Sequence, residues 1–291
     1  MLWEQLVNGL TMGSAYALIA LGYTMVYGIV QLINFAHGEV YMIGAFVGLF
    51  LVTVLGLNVF AGILGAMLFC ALLGMLIERL AYRPLRRASR LSALISAIGV
   101  SMILSTVMVL IRGPGFENYP ESAFPMVSFT VASVSISSLQ ILILVTAALL
   151  MIGLQILVHK TKIGLAMRAC AQDVDAATLM GVNVDRVIAI TFGIGSALAA
   201  AGGVLVGLNW GAVQPYMGMQ WGLKAFAAAI LGGIGSIPGA MIGGMLLGIL
   251  ETFGIAFLAS SYKDAFAFGI LILVLIVRPQ GLLGKPVIKK V

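Results

Sequence analysis

Three polar or ionisable side chains, Asn34, His37 and Glu39, fall within six positions of INFAHGEVYMIGAF, Ile33 to Phe46. A fourth, Glu251, is flanked by apolar or small residues on both sides apart from Thr252, in GMLLGILETFGIAF. Beside such apolar runs the chemistry open to these groups is contact with a polar solute or an ion on a path. The plainer reading is an interhelical hydrogen bond or a helix cap. An ionised group at mid-bilayer costs about 2.5 to 3.5 kcal/mol on insertion scales, so such groups face a protein interior or water. Enzymatic readings fare poorly. HGEVY is not HExxH, and the two histidines, His37 and His159, stand in distant segments, which disfavours a zinc site. No GxxxxGK[ST] occurs, since the Gly284–Lys285 pair is followed by Pro286, so no phosphate-cradling loop is expected. No histidine stands near a plausible nucleophilic serine. No catalytic residue, metal or cofactor is assigned.

The elements that must position these residues are membrane helices. The chain is 62% hydrophobic and 9% charged, with a mean hydropathy of +1.14, far outside the soluble range. A spanning helix needs about 20 mostly apolar residues. Windows at 6–30, 40–55, 59–77, 94–111, 139–158, 187–208, 240–258 and 265–277 qualify, and a glycine-rich ninth at 223–234 either crosses or dips. A barrel would need strict alternation over about 10 residues, and these runs are continuous. The expected fold is all-α: a polytopic transmembrane bundle of eight to nine segments forming a single domain, 1–291. Glu4, with no basic residue before the first apolar run, argues against a cleaved signal peptide.

Orientation follows from the basic residues. Of the 16 Lys and Arg, all but Arg112, Lys224 and Lys263 fall in three clusters: Arg79, Arg83, Arg86, Arg87 and Arg90; Lys160, Lys162, Arg168 and Arg186; Arg278, Lys285, Lys289 and Lys290. Retention of positive charge on the cytoplasmic side puts all three inside, the N-terminus outside and the C-terminus inside. The other three bases fall in intervening loops. The net charge of +6 then reflects topology, with no nucleic-acid role. Cys70 and Cys170 read as packing residues at different depths.

Glycine supplies the packing code, because hydrophobicity does not drive helices together in lipid. Ladders run through Gly9, Gly13 and Ala17; Gly44 and Gly48; Gly195, Ala199, Gly203 and Gly207; and Gly235, Gly239 and Gly243 with Gly244 and Gly248. Four ladders indicate a compact bundle with further faces for a partner subunit. Gly38 suggests a bend after NFAH, leaving Glu39 in the first turn of the next helix, where the dipole favours a carboxylate. GGIGSIPGAMIGG, 232–244, reads as a second break with Pro238 opening a helix. Interruptions of this kind are tolerated at membrane depth where protein or water surrounds them.

Two loops are large. The outer one, 112–138, holds Pro114, Pro120 and Pro125 and should be irregular. The inner one, 160–187, is Ala-rich and should form one or two short helices ending near Gly181. Met167, Ala171, Val174, Ala177 and Gly181 recur there at helical spacing as a small apolar stripe. That stripe fits either packing on the chain's own helices or docking of a soluble partner.

INFAHGEVYMIGAF, ERLAYRPLRR followed by LISAIG, TKIGLAMRACAQDVDAATLMGVN and KAFAAAILGGIGSIPGAMIGGMLLGILE together resemble the permease subunit of high-affinity branched-chain amino-acid ABC importers, from about residue 5 to 285. The resemblance implies the ABC importer permease fold in a bacterial inner membrane. It also implies a second, homologous permease, two cytoplasmic ATPase subunits and a periplasmic substrate-binding protein as partners. The inner loop then becomes the coupling segment, with Gly164, Arg168, Ala169, Ala171, Asp173, Ala177 and Gly181 matching the family pattern. Val182 stands where many relatives have isoleucine. The periplasmic loop 112–138 matches no motif. Asn34, His37, Glu39 and Glu251 become candidates for the translocation path. A urea or short-amide importer of the same superfamily shares the glycine-rich blocks, and an autonomous channel would need no ATPase.

Overall fold

The computed structural model describes residues 2–86, 88–120, 123–131, 134–257 and 263–284. Arg87, Lys285, Lys289 and Lys290 of the basic clusters lie outside the described residues. The apolar windows become helices: α1 (Leu2–Val30), α2 (His37–Thr53), α3 (Val59–Ile77), α4 (Arg90–Arg112), α5 (Ser138–Lys160), α8 (Val184–Trp210), α9 (Met217–Gly232), α10 (Ile237–Phe257) and α11 (Lys263–Val277). The inner loop supplies α6 (Lys162–Gln172) and α7 (Val174–Leu179). A π-helical turn, Glu78–Tyr82, extends α3. Among the described residues, six helices are long and apolar enough to cross a membrane: α1, α3 with its extension, α4, α5, α8 and α10. The protein is a multi-pass helical membrane protein.

Helix starts follow local capping chemistry. Asn58, Ser89, Thr161 and Asn183 each accept a backbone N–H three residues on, and Ser137 with Gln140 forms a reciprocal capping box. Each cap satisfies donors that hydrocarbon could not.

The centre of the bundle is α1, α2 and α8. Every residue from Gly13 to Val26 is buried, as is every residue from His37 to Phe46. α1 packs on α10 and α8, α2 on α8 and α3, and α9 lies among α1, α2 and α10. The glycine ladders lie in these contacts. A Cβ on Gly13 would fall 2.7 Å from the Met245 Cα, one on Gly244 would strike Ala17, and one on Gly44 would strike Ala200. α4 stands apart, with Ile95, Met102, Leu110 and Ile111 exposed.

Two local expectations are corrected. The bend before α2 lies at 31–36, where Gln31 takes a φ of 55°; Gly38 is inside α2, its missing side chain letting α2 approach Gly218 and Gly222 of α9. The outer loop is not wholly irregular: β2 (Ser128–Val131) and β3 (Val134–Ser137) form an antiparallel pair, and β1 (Glu117–Asn118) pairs with β4 (Ala212–Val213). Its prolines fall outside these short strands, so no ladder donor is lost. The expected break after α9 is present: α9 ends at Gly232, α10 opens at Ile237 with Pro238 in its first turn, and the Leu282 and Leu283 N–H groups donate to the Leu231 and Gly232 carbonyls at the end of α9 at 2.9 Å.

Gly13→Val therefore lowers the thermal unfolding midpoint in detergent, by about 1 to 3 kcal/mol of over-packing. Gly99→Ala, at an open position on α4, leaves it unchanged.

Candidate functional site

The four candidate path residues occupy three environments. Asn34, in the bend, is buried and accepts the Tyr82 hydroxyl on Oδ1 at 2.7 Å. The π-helical turn is what aims Tyr82 inward. His37 opens α2 with Nε2 at 3.2 Å from the Ile19 carbonyl, and its ring meets Tyr23 edge-on, with centroids 4.7 Å apart. Gly22 leaves the space for that ring. His37 is thus a packed, satisfied group. Glu39 lies in the first turn of α2 as expected. Its Oε1 accepts Ser101 of α4 at 3.3 Å, whereas Oε2 is buried without a hydrogen-bond partner and rests against Gly218. A cavity of about 410 Å³ lies beside it, between Tyr23, Phe35, Ser101 and Gly222.

Glu251 is not isolated. Tyr16 donates its hydroxyl to Oε2 at 2.7 Å and Lys224 donates to Oε1 at 2.6 Å. Lys224 Nζ also lies 2.6 Å from Asp264 Oδ1. The expectation that Lys224 belongs to a loop is corrected, since it projects from the middle of α9 into the bundle. Lys224 is the second residue of the window 223–234, and α9 begins six residues before that window, which shifts Lys224 from the helix's edge to its middle. Tyr16, Lys224 and Asp264 were not singled out in the sequence. The available signal was that Lys224 and Glu251 each interrupt a glycine-rich apolar run, and lone charges at such depth seek each other.

A second charge group ties α8 to the end of α3. Arg83 and Arg86 both bind Asp185, and Arg86 also binds Glu78, which is 2% exposed. Among the described residues, no three His, Cys, Asp or Glu side chains converge as a metal would need. Cys70 and Cys170 are free and buried, and desolvation raises the Cys170 thiol above its ordinary pKa.

The inner loop forms its two short helices. Gly164 is buried where a Cβ would strike the Leu157 and Val158 carbonyls, so α6 can fold back tightly on α5. Asp173 caps α7, its Oδ1 accepting the Asp175 and Ala176 N–H groups at 3.0 Å. Gly181 takes φ +84° beyond α7, the left-handed conformation that glycine tolerates. The predicted stripe is corrected. Met167 and Ala177 are buried, but Ala171, Val174 and Gly181 are exposed, and Gly164 and Cys170 complete the inward face. The extended Asp173 (φ −159°) resets the helical phase, so one periodicity cannot run through both helices. Arg168 is exposed and Ala169 half-buried.

Residues 5–275 match the family model described as branched-chain amino acid transport system / permease component. The chain belongs to this family. It is 48% identical over 299 residues to the high-affinity branched-chain amino acid transport system permease protein LivH of Salmonella typhimurium, covering 99% of this chain and 97% of that one. The same figures hold for the permease protein BraD of Pseudomonas aeruginosa. Identity is 32% over 287 residues, 92% and 88% of the two chains, to a probable LivH of Methanocaldococcus jannaschii. Membership in a permease family makes the chain a transport component, not a catalytic subunit.

Arg86→Ala leaves the buried Glu78 carboxylate without its cation and costs about 3 to 5 kcal/mol in thermal unfolding. Arg112→Ala, which removes a partly exposed pair with Glu117, costs about 1 kcal/mol or less.

Proposed function

We propose that this chain is the membrane subunit of an ATP-driven importer carrying leucine, isoleucine, valine or related neutral amino acids across a bacterial inner membrane. The observation that carries the reading is the family match over nearly the whole chain, with full-length relatives named for branched-chain amino acids. Those names favour amino acids over urea or short amides. The N-terminus lies in the periplasm and the C-terminus in the cytoplasm. α2, α9 and α11 cross with the six longer helices, making nine traversals. The partners are a homologous permease, two ATPase subunits and a periplasmic binding protein, and the absence of a phosphate-binding loop in the sequence accords with borrowed ATP hydrolysis.

α6 and α7 are the segment on which the ATPase acts. Their inward face holds to the bundle, while Ile163, Leu165, Leu179 and Met180 are exposed, the last two at 89% and 85%. Force on this surface passes through Asn183, which caps α8, and through the Asp185 pairs with Arg83 and Arg86 to the end of α3. The two permeases then rock between outward-open and inward-open forms. Asn34, His37, Glu39 and Glu251 border the path. Of these, Glu39 is the best placed to face a passing polar group, because one of its oxygens has no hydrogen-bond partner.

Cells deleted for this gene should lose uptake of radiolabelled leucine and regain it on complementation, with urea uptake unaffected. Loss confined to urea would sink the reading. Gly181→Pro, which abolishes the positive φ and a backbone donor, should lower uptake by about tenfold or more, the usual scale of intersite coupling, while the chain stays in the membrane. Asp173→Asn keeps the cap and should retain uptake. Charge reversal at Arg168 together with Asp173 should uncouple ATP hydrolysis from transport.

A further inference from the structure

A cavity of about 330 Å³ lies among the C-terminal ends of α8 and α10, the middle of α9 and the start of α11. Four charged groups reach it: Lys224 and Lys263, Glu251 and Asp264. They sum to zero. Its wall is aromatic, with the Tyr16 and Trp221 rings 5.1 Å apart and the Trp210 and Trp221 rings 6.2 Å apart. We propose that this cavity binds the zwitterionic head of an α-amino acid, with the ligand's apolar side chain laid on the Trp210–Trp221–Tyr16 wall. The inference deepens the function proposed above and rests on that reading.

Binding proceeds by charge exchange. A buried ion pair contributes little to stability against an apolar pair of the same volume, so the Lys224–Glu251 pair, with side chains 12% and 6% exposed, calls for another role. Lys224 is held on two sides of different character. Glu251 is deep and fixed by Tyr16, while Asp264 is 57% exposed at the mouth. An incoming carboxylate can displace Asp264 from Lys224, and the freed Asp264 then meets the incoming ammonium. Lys263, whose Nζ lies 5.9 Å from the Trp210 ring centroid, is positioned to add a second cation to the carboxylate. Lys224 pairs with both carboxylates before the exchange; after it, Lys224 keeps Glu251 and takes the ligand carboxylate while Asp264 takes the ammonium, so neither protein carboxylate is left bare in a low-dielectric site. A ligand carrying one charge would leave a protein charge bare, so a carboxylate alone or an amine alone is rejected. The aromatic wall accepts any branched aliphatic side chain, which discriminates weakly among Leu, Ile and Val.

The test uses the full chain in lipid nanodiscs, followed by tryptophan fluorescence during titration with leucine, 4-methylpentanoate and 3-methylbutylamine. Leucine should give a saturable change, with half-saturation about tenfold or more below that of either single-charge analogue. Trp210→Phe with Trp221→Phe should abolish the change, leaving Trp3 as an unresponsive reporter. Glu251→Gln should weaken leucine about tenfold. Should that variant prove unstable, Lys263→Gln at the mouth serves instead and should weaken leucine while leaving the unfolding midpoint intact. Equal responses to all three ligands, or a leucine response that survives the double tryptophan replacement, would overturn the site. A chain that restores leucine uptake in cells yet shows no fluorescence response also removes the site and leaves the transport reading intact. A saturable response without restored uptake supports the site and removes the transport reading.

Discussion

Close backbone approach at glycine is the constraint on which the rest of this bundle depends. Lipid tails are as apolar as leucine, so the helices gain no hydrophobic free energy by meeting and must gain dispersion and weak polar contacts instead. Gly9, Gly13, Gly244 and Gly248 bring α1 and α10 to backbone contact, and Gly44 and Gly203 do the same for α2 and α8. With most of α1 and α2 enclosed, several polar residues at this centre find partners within the protein, whereas Thr24, Tyr41 and one Glu39 oxygen have no hydrogen-bond partner. Tyr16 reaches Glu251, and Tyr82 reaches Asn34. The polar pairs are thus consequences of the glycine contacts.

That enclosure also divides the charges by purpose. The Glu78–Arg86–Asp185–Arg83 group ties helix ends at one side of the bundle, where long basic side chains can hold both helices and still touch water. The Lys224–Glu251–Asp264 group lies against aromatic rings beside a cavity. The first kind of group fixes one element to another. The second sets opposite charges at the edge of an open cavity.

The peripheral parts differ in character from the centre. α4 exposes apolar side chains along most of its length, α6 and α7 expose Leu179 and Met180, and β2 with β3 forms a small separate hairpin. An exposed apolar helix suits lipid or another membrane chain, whereas an exposed apolar tip on a short loop helix suits a soluble surface. Glu39 joins centre and periphery, since Ser101 is the polar contact it takes from α4.

What the sequence determined by itself was whatever depends on neighbours along the chain. Apolar run length set the bounds of α3 to the residue and the others within about four residues, apart from the start of α9, which lies six residues earlier. Glycine spacing gave the contact faces, and the stretch before Gly181 the inner helices. Glu39 in the first turn of α2 was legible for the same reason. Tertiary structure decided everything that depends on partners far apart in the chain. Lys224 looked like a loop base and Glu251 like a solitary acid, because nothing local reveals that α9 and α10 pack them side by side with Tyr16 across from them. Gly38 looked like a hinge and proved to be a contact, since a glycine's open space is defined by the helix that fills it. The inner stripe failed at Asp173, where one extended residue resets the phase. Periodicity is a property of a single helix, and only packing fixes how two helices face each other.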